Sequence, residues 1–116
     1  MNIDKETWIK INNTMRKLEI DRDSRQINAI KIHPAESWLH FTEKCKICWE
    51  LYMNKGHPFL TEAFAKNRSM KFDIVDLVEE TDDNVIEIVI TSNPPRDIRT
   101  KVVIVNPDKH PKDYDF

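Results

Sequence analysis

The chain has 116 residues, enough for one hydrophobic core but not for two, since domains commonly run to about 100–150 residues. Its 18 Lys and Arg against 20 Asp and Glu leave a formal charge of -2, so any contact with nucleic acid would rest on a local basic patch rather than an overall positive field. With 40% apolar and 33% charged residues, no apolar run nears the roughly 20 residues of a membrane span, and the start MNIDKETWIK lacks a signal-type apolar stretch; the expected location is intracellular (cytoplasmic), with no membrane partner.

Residues 4–19 read as an amphipathic helix, with Asp4 as N-cap and Trp8, Ile11, Met15 and Leu18 recurring every three or four positions. A charged connector, EIDRDSRQ, leads to the alternation of Ile30 and Ile32, which fits either a strand or a helix end. A second helix is expected from Pro34 to Gly56, a proline suiting a first turn and a glycine a left-handed cap. Trp38, Phe41, Cys45, Cys48, Trp49 and Tyr52 form its apolar stripe, while Glu36, Glu43, Lys44, Lys46 and Lys55 lie elsewhere. Such a helix is expected to lie across a sheet. The CxxC of Cys45 and Cys48 falls mid-helix with no partner pair at zinc spacing, so it reads as core packing. One glycine in the whole chain leaves no Gly-rich phosphate loop, which excludes the usual nucleotide cofactor sites.

After Gly56 the apolar period changes to two. Strands are expected over 57–64, 70–78 and 85–91, joined by the polar turn 66–69 and the hairpin connection EETDDN. Strict alternation puts Lys71, Asp73, Val75 and Leu77 on one face of the second strand, and Met70, Phe72, Ile74 and Asp76 on the other. In the third, Val85, Glu87, Val89 and Thr91 oppose Ile86, Ile88 and Ile90. Ser92-Asn93-Pro94-Pro95 is a breaker, a short helix is expected over 96–100, and Val102–Val105 reads as a strand covered on both faces. The fold class is α/β: an antiparallel meander, a helical crossover and a further strand in a mixed sheet, as a single domain over 1–116 with a core at about 34–106 and a polar tail at 107–116.

Three carboxylates, Glu62, Asp73 and Glu87, interrupt segments that otherwise read as strands. Buried unpaired carboxylates are costly, and a shared hard cation such as Mg²⁺, held by one or two carboxylates plus waters, would explain them. Plainer readings exist: Glu62 paired with Lys66 or Lys71, and Asp73 with Asp76 as charges that protect a sheet edge. His40 and His57 read as surface or packed residues, with His57, near the strand entry, also a candidate for the site.

Helix, then G-H-x-x-x-x-E, then D-I-V-D-L, then I-E-I-V-I-T-S, then a short helix and a strand resembles the PD-(D/E)xK nuclease superfamily, nearest to the archaeal Holliday-junction-resolvase-like and competence-associated nuclease-like proteins. The resemblance covers about residues 36–106 and implies a restriction-endonuclease-like αβββαβ core with an extra N-terminal helix. It places Asp73 at the second-motif aspartate and Glu87 at the (D/E)xK acid. Glu62, or alternatively Glu43 or Glu50, stands for the first-motif glutamate. It implies Mg²⁺- or Mn²⁺-assisted hydrolysis of DNA phosphodiesters, the metal held by Asp73, Glu87 and Glu62. The family lysine is replaced by Val89, and Lys71 or Lys101 is the candidate substitute. Lys66, Arg68, Arg96 and Arg99 are the expected phosphate contacts. A homodimer is expected, with the stripe of helix 4–19 as interface. The alternative is a catalytically inactive module that keeps the fold for DNA binding or regulation.

Overall fold

Helix α1 (Lys5–Lys17) starts where the sequence supplies a cap, the Asp4 carboxylate accepting the Thr7 N–H at 2.7 Å. A computed structural model describes residues 3–81, 83–92 and 101–109 of the chain. The inner stripe of α1 is spent on the chain's own core: Ile11 is 0% and Met15 4% exposed, with Trp8 and Ile9 left outside. Of the stripe expected as a dimer interface, Ile11 and Met15 are thus taken up by the chain's own core, while Trp8 stays at the surface.

Residues 28–33 run as a strap along the edge of the first strand. Asn28 N–H donates to the Phe59 carbonyl (2.8 Å), the Thr61 hydroxyl donates to the Ala29 carbonyl (2.7 Å), and Lys31 N–H donates to Thr61 Oγ1 (2.8 Å). An exposed strand edge is thereby covered without a regular ladder.

Helix α2 (Trp38–Trp49) begins four residues after Pro34, because the Ser37 hydroxyl accepts the His40 N–H at 3.1 Å and caps the helix there. A π-helical turn, Glu50–Asn54, continues it, and Gly56 closes it at φ +66° as expected. Its apolar stripe is only partly inward: Cys48 and Leu51 are buried, whereas Trp38, Trp49 and Tyr52 are exposed.

Strands β1 (Phe59–Ala65), β2 (Met70–Asp76), β3 (Val85–Ile90) and β4 (Lys101–Val105) form one four-stranded sheet in that order, antiparallel for the first two pairings and parallel for β3 with β4. The mixed α/β architecture agrees with the sequence. The short helix expected over 96–100 lies outside the described residues. Between β1 and β2, Lys66, Asn67 and Arg68 all adopt positive φ (51°, 55° and 65°), and the Asp21 carboxylate accepts the N–H groups of Asn67 and Arg68. That carboxylate satisfies amides which the left-handed turn turns away from the ladder.

The sheet divides two apolar clusters. Leu60, Ala63, Phe72, Val75 and Leu77 pack with Ile11 and Met15 of α1; Phe59, Ile74, Ile86 and Ile88 pack with Cys48 of α2 and Leu51. Leu60 and Ala63 are an odd number of residues apart yet share a cluster, as do Phe72 and Val75, so strict alternation fails in both strands. Glu62 supplies the break in β1: its φ is +47°, and the pairing passes from Thr61–Ile74 to Ala63–Phe72 without it. Asp73 therefore shares the α2 side with Ile74 and not, as alternation predicted, a face with Val75 and Leu77.

Ile11→Ala is expected to destabilise the fold by about 2–5 kcal/mol in urea unfolding. Ile9→Ala, 52% exposed on the same helix, should stay within about 0.5 kcal/mol of the parent.

Candidate functional site

A lysine that is 0% exposed builds the site. Lys44, on α2, places its ammonium 2.8 Å from Glu36 Oε1 and 3.1 Å from Glu62 Oε1, and also donates to the Lys31 carbonyl. Three acceptors match the three donors of an ammonium, and two of them are charged, which is what burial of such a group requires. The sequence placed Lys44 off the inward face; the correction is that its partners, not its polarity, decide its burial.

Glu36 precedes α2 by two residues and turns its second oxygen to His40 Nδ1, while the His33 N–H donates to its first at 3.2 Å. Burial alone would raise the Glu36 pKa, but the hydrogen bonds from Lys44, His40 and His33 outweigh it and hold the carboxyl below its ordinary range. Across the ring, His40 Nε2 lies 3.4 Å from Asp73 Oδ2. The arrangement runs Lys44, Glu36, His40, Asp73, from the interior of α2 to β2.

Asp73 faces Glu87 where β2 and β3 part. Regular pairing of these strands covers Val75–Val85 and Ile74–Ile86; beyond it, Asp73 Oδ2 takes the Ile88 N–H at 2.9 Å, and the two carboxyls hydrogen-bond each other. Burial opposes ionisation of both. For Asp73 it is outweighed by the Ile88 N–H, the hydrogen bond from Glu87 and the nearby His40, so its pKa is lowered. For Glu87 burial is reinforced by the hydrogen bond to Asp73 and its charge, and partly offset by Lys71, so its pKa is pushed up to about 8. The two shifts run in opposite directions, so the carboxyls titrate as a unit and the pair favours its singly protonated form.

Glu62 does not join that pair. Its oxygens go to Lys44 and to Lys71, whose Nζ lies 2.6 Å from Oε2. This last contact is an ion pair without hydrogen-bond alignment, so Oε2 is buried with no aligned donor. The plainer reading of Glu62, a carboxylate paired with Lys71, is what the structure shows. His33, Glu36, His40, Glu62, Lys71 and Asp73 line a common cavity of about 310 Å³.

Glu43 pairs with Lys46 at 3.2 Å and Glu50 accepts from Asn54 at 2.7 Å, and neither lines the cavity. Lys66 lies 3.9 Å from Glu19, and Arg68 pairs with Asp23 at 2.8 Å while stacking 3.8 Å over the Phe64 ring. Arg96, Arg99 and the side chain of Lys101 lie outside the described residues. Glu36, His40 and Lys44 were missed as a site, although their spacing of i, i+4 and i+8 was the available signal. Cys48 is buried and burial pushes its thiol up to about 12, in keeping with core packing.

The chemistry of the donor set fits a hard cation at Asp73 and Glu87: two carboxylate oxygens from adjacent strands, sharing a proton that a cation would displace. Glu62 is occupied by two ammonium groups and does not fit. Among the described residues the group of three possible ligands lying within 4.8 Å of one another is a different one, His57, Asp76 and Glu79 at the C-terminal end of β2, where His57 Nδ1 meets Asp76 Oδ2 at 2.9 Å. A scan of protein-family models finds no match to this chain, and neither does a search of curated proteins or of solved structures. No helix among the described residues is long and apolar enough to cross a membrane.

Lys44→Ala would leave Glu36 and Glu62 buried without their shared cation, and should cost about 3–5 kcal/mol in chemical denaturation. The carboxyl pair sets a pH dependence. Glu87 rises from 4.5 to about 8 on folding, so its contribution is fully present below 4.5 and is lost as pH climbs towards 8. Asp73, lowered from 3.8, contributes with the opposite sign, present above 3.8 and lost in acid. Glu87→Gln should therefore gain melting temperature relative to the parent as pH rises through that window, measured without divalent cations.

Proposed function

We propose that the chain is a metal-dependent phosphodiesterase acting on DNA, built on a restriction-endonuclease-like core. The observation that carries this reading is the Asp73–Glu87 pair, two acids on neighbouring strands at the point where the strands separate, of which Asp73 lines a cavity together with Lys71. The mixed four-stranded sheet, with an antiparallel meander and a parallel fourth strand, supports the reading through the succession of elements that the resemblance implies.

In this reading Asp73 and Glu87 hold Mg²⁺ or Mn²⁺, which when bound lowers the pKa of a coordinated water and screens the phosphate charge. The chain's own residues then have separate tasks. His40, anchored by Glu36, favours the ionised form of Asp73 and fixes the side from which it is approached. Lys71 supplies the ammonium that Val89 cannot: it already acts on Glu87 electrostatically, and it orients the attacking water or offsets charge on the phosphate oxygens. Glu62, set between Lys44 and Lys71, holds that ammonium in the cavity. An intracellular homodimer cutting both strands would use a surface other than the buried stripe of α1.

A second reading draws on one specific observation. Lys71 is committed to Glu62, and with valine at position 89 the cavity has no uncommitted ammonium of its own among the described residues. A DNA-binding or regulatory module that keeps the fold without cutting accounts for that.

Plasmid nicking in Mg²⁺ and in Mn²⁺ separates the two. The nuclease reading expects cleavage by the parent and a loss of at least about 100-fold in Asp73→Ala and in Glu87→Ala. Lys71→Ala should lose about 100- to 1,000-fold, with part recovered when Val89→Lys is added. DNA retained without cleavage would support the binding module.

A further inference from the structure

The strap along β1 carries an ammonium that none of the roles above uses. Lys31 is fixed at both ends of its own residue: its N–H donates to Thr61 Oγ1 at 2.8 Å and its carbonyl accepts from the buried Lys44. Its side chain lines a groove of about 390 Å³ with Asp23, Phe64, Arg68, His33, Glu62 and Lys71, and the last three also line the cavity at Asp73. Groove and cavity therefore adjoin, sharing these three residues, between the β1–β2 turn and Asp73.

The cations along this path differ in one respect. Lys44 has Glu36 and Glu62, Lys71 has Glu62, and Arg68 has Asp23. Lys31 has no carboxylate at ion-pair distance among the described residues, and burial lowers its pKa, with Asp23 and Glu62 opposing from further away. An ammonium taken partly out of water without a counter-ion is unfavourable unless a ligand supplies the missing charge. Phosphate is the anion that the neighbouring site would deliver to it.

We propose that Lys31 binds a backbone phosphate of a single DNA strand, guiding that strand along the groove into the cavity. This rests on the reading of the cavity as a DNA site. The groove suits a single strand because its outer end is the Arg68 guanidinium lying over Phe64, a planar cation on which an unpaired base can stack and a paired one cannot.

The test is binding of a fluorescent single-stranded oligonucleotide and of its duplex, in EDTA and in Ca²⁺, beside Mg²⁺-dependent cleavage of the same strands. Lys31→Met keeps most of the apolar stem and Lys31→Arg keeps the charge, so a folding defect in one does not hide the answer. Lys31→Met is expected to weaken single-strand binding about 5- to 10-fold and to reduce the salt slope by about 0.7, with Lys31→Arg close to the parent and the duplex less affected. Lys10→Ala, altering an exposed ammonium paired with Glu80, serves as the surface control. Cleavage by the parent with unchanged single-strand affinity in Lys31→Met, or a loss equally large on the duplex, overturns this proposal and leaves the nuclease reading standing. Lys31-dependent binding without any cleavage does the reverse.

Discussion

A buried ammonium ties together the segments that build the candidate site. Lys44 reaches from α2 to the strap through the Lys31 carbonyl, to β1 through Glu62, and to the start of its own helix through Glu36. Such a cluster does little for stability against a well-packed apolar alternative, because desolvating three charges consumes most of what their attraction returns. What it provides is position. Lys44 and the His33 N–H hold Glu36, Glu36 meets His40, and the His40 ring in turn meets Asp73.

A second constraint lies in the strands. Regular alternation would have sent Glu62 and Asp73 where their apolar neighbours required, with no means of bringing both to the α2 side. The left-handed backbone at Glu62 breaks the alternation, and a glutamate in that conformation carries a strain that its two ammonium partners offset. On the other side of β2, the Asp73 carboxylate takes over the Ile88 N–H that a regular ladder would have used. The residue that interrupts the ladder here is also the one that lines the cavity.

The regular parts of this structure were legible in the sequence. Asp4 capped the first helix, Gly56 closed the second, and the period-two segments became β1, β2 and β3 within a few residues of the expected bounds. The start of α2 was not, since Ser37 competes with Pro34 for the same task and local hydrogen bonding decides between them. Asp73, Glu87 and Lys71 stood out because acids and a lysine are unusual in strands. Lys44, Glu36 and His40 did not, because a helix tolerates charge on any exposed face and pattern alone cannot reveal that three acceptors from distant segments meet one ammonium. Nor could period-two reasoning foresee the turnover at Glu62, which depends on a φ value and not on hydropathy.

The proposed chemistry rests on Asp73 and Glu87 forming one carboxyl pair that gives up a shared proton to a divalent cation. Its most direct test is calorimetric titration of Mn²⁺ at pH 7 in buffers of different ionisation enthalpy, which counts the protons released per ion bound. With Glu87 near 8, binding of one ion should release about one proton at pH 7 and progressively fewer above pH 8, and Asp73→Asn should abolish it. Binding that releases no proton, or that survives Asp73→Asn unchanged, would contradict the account.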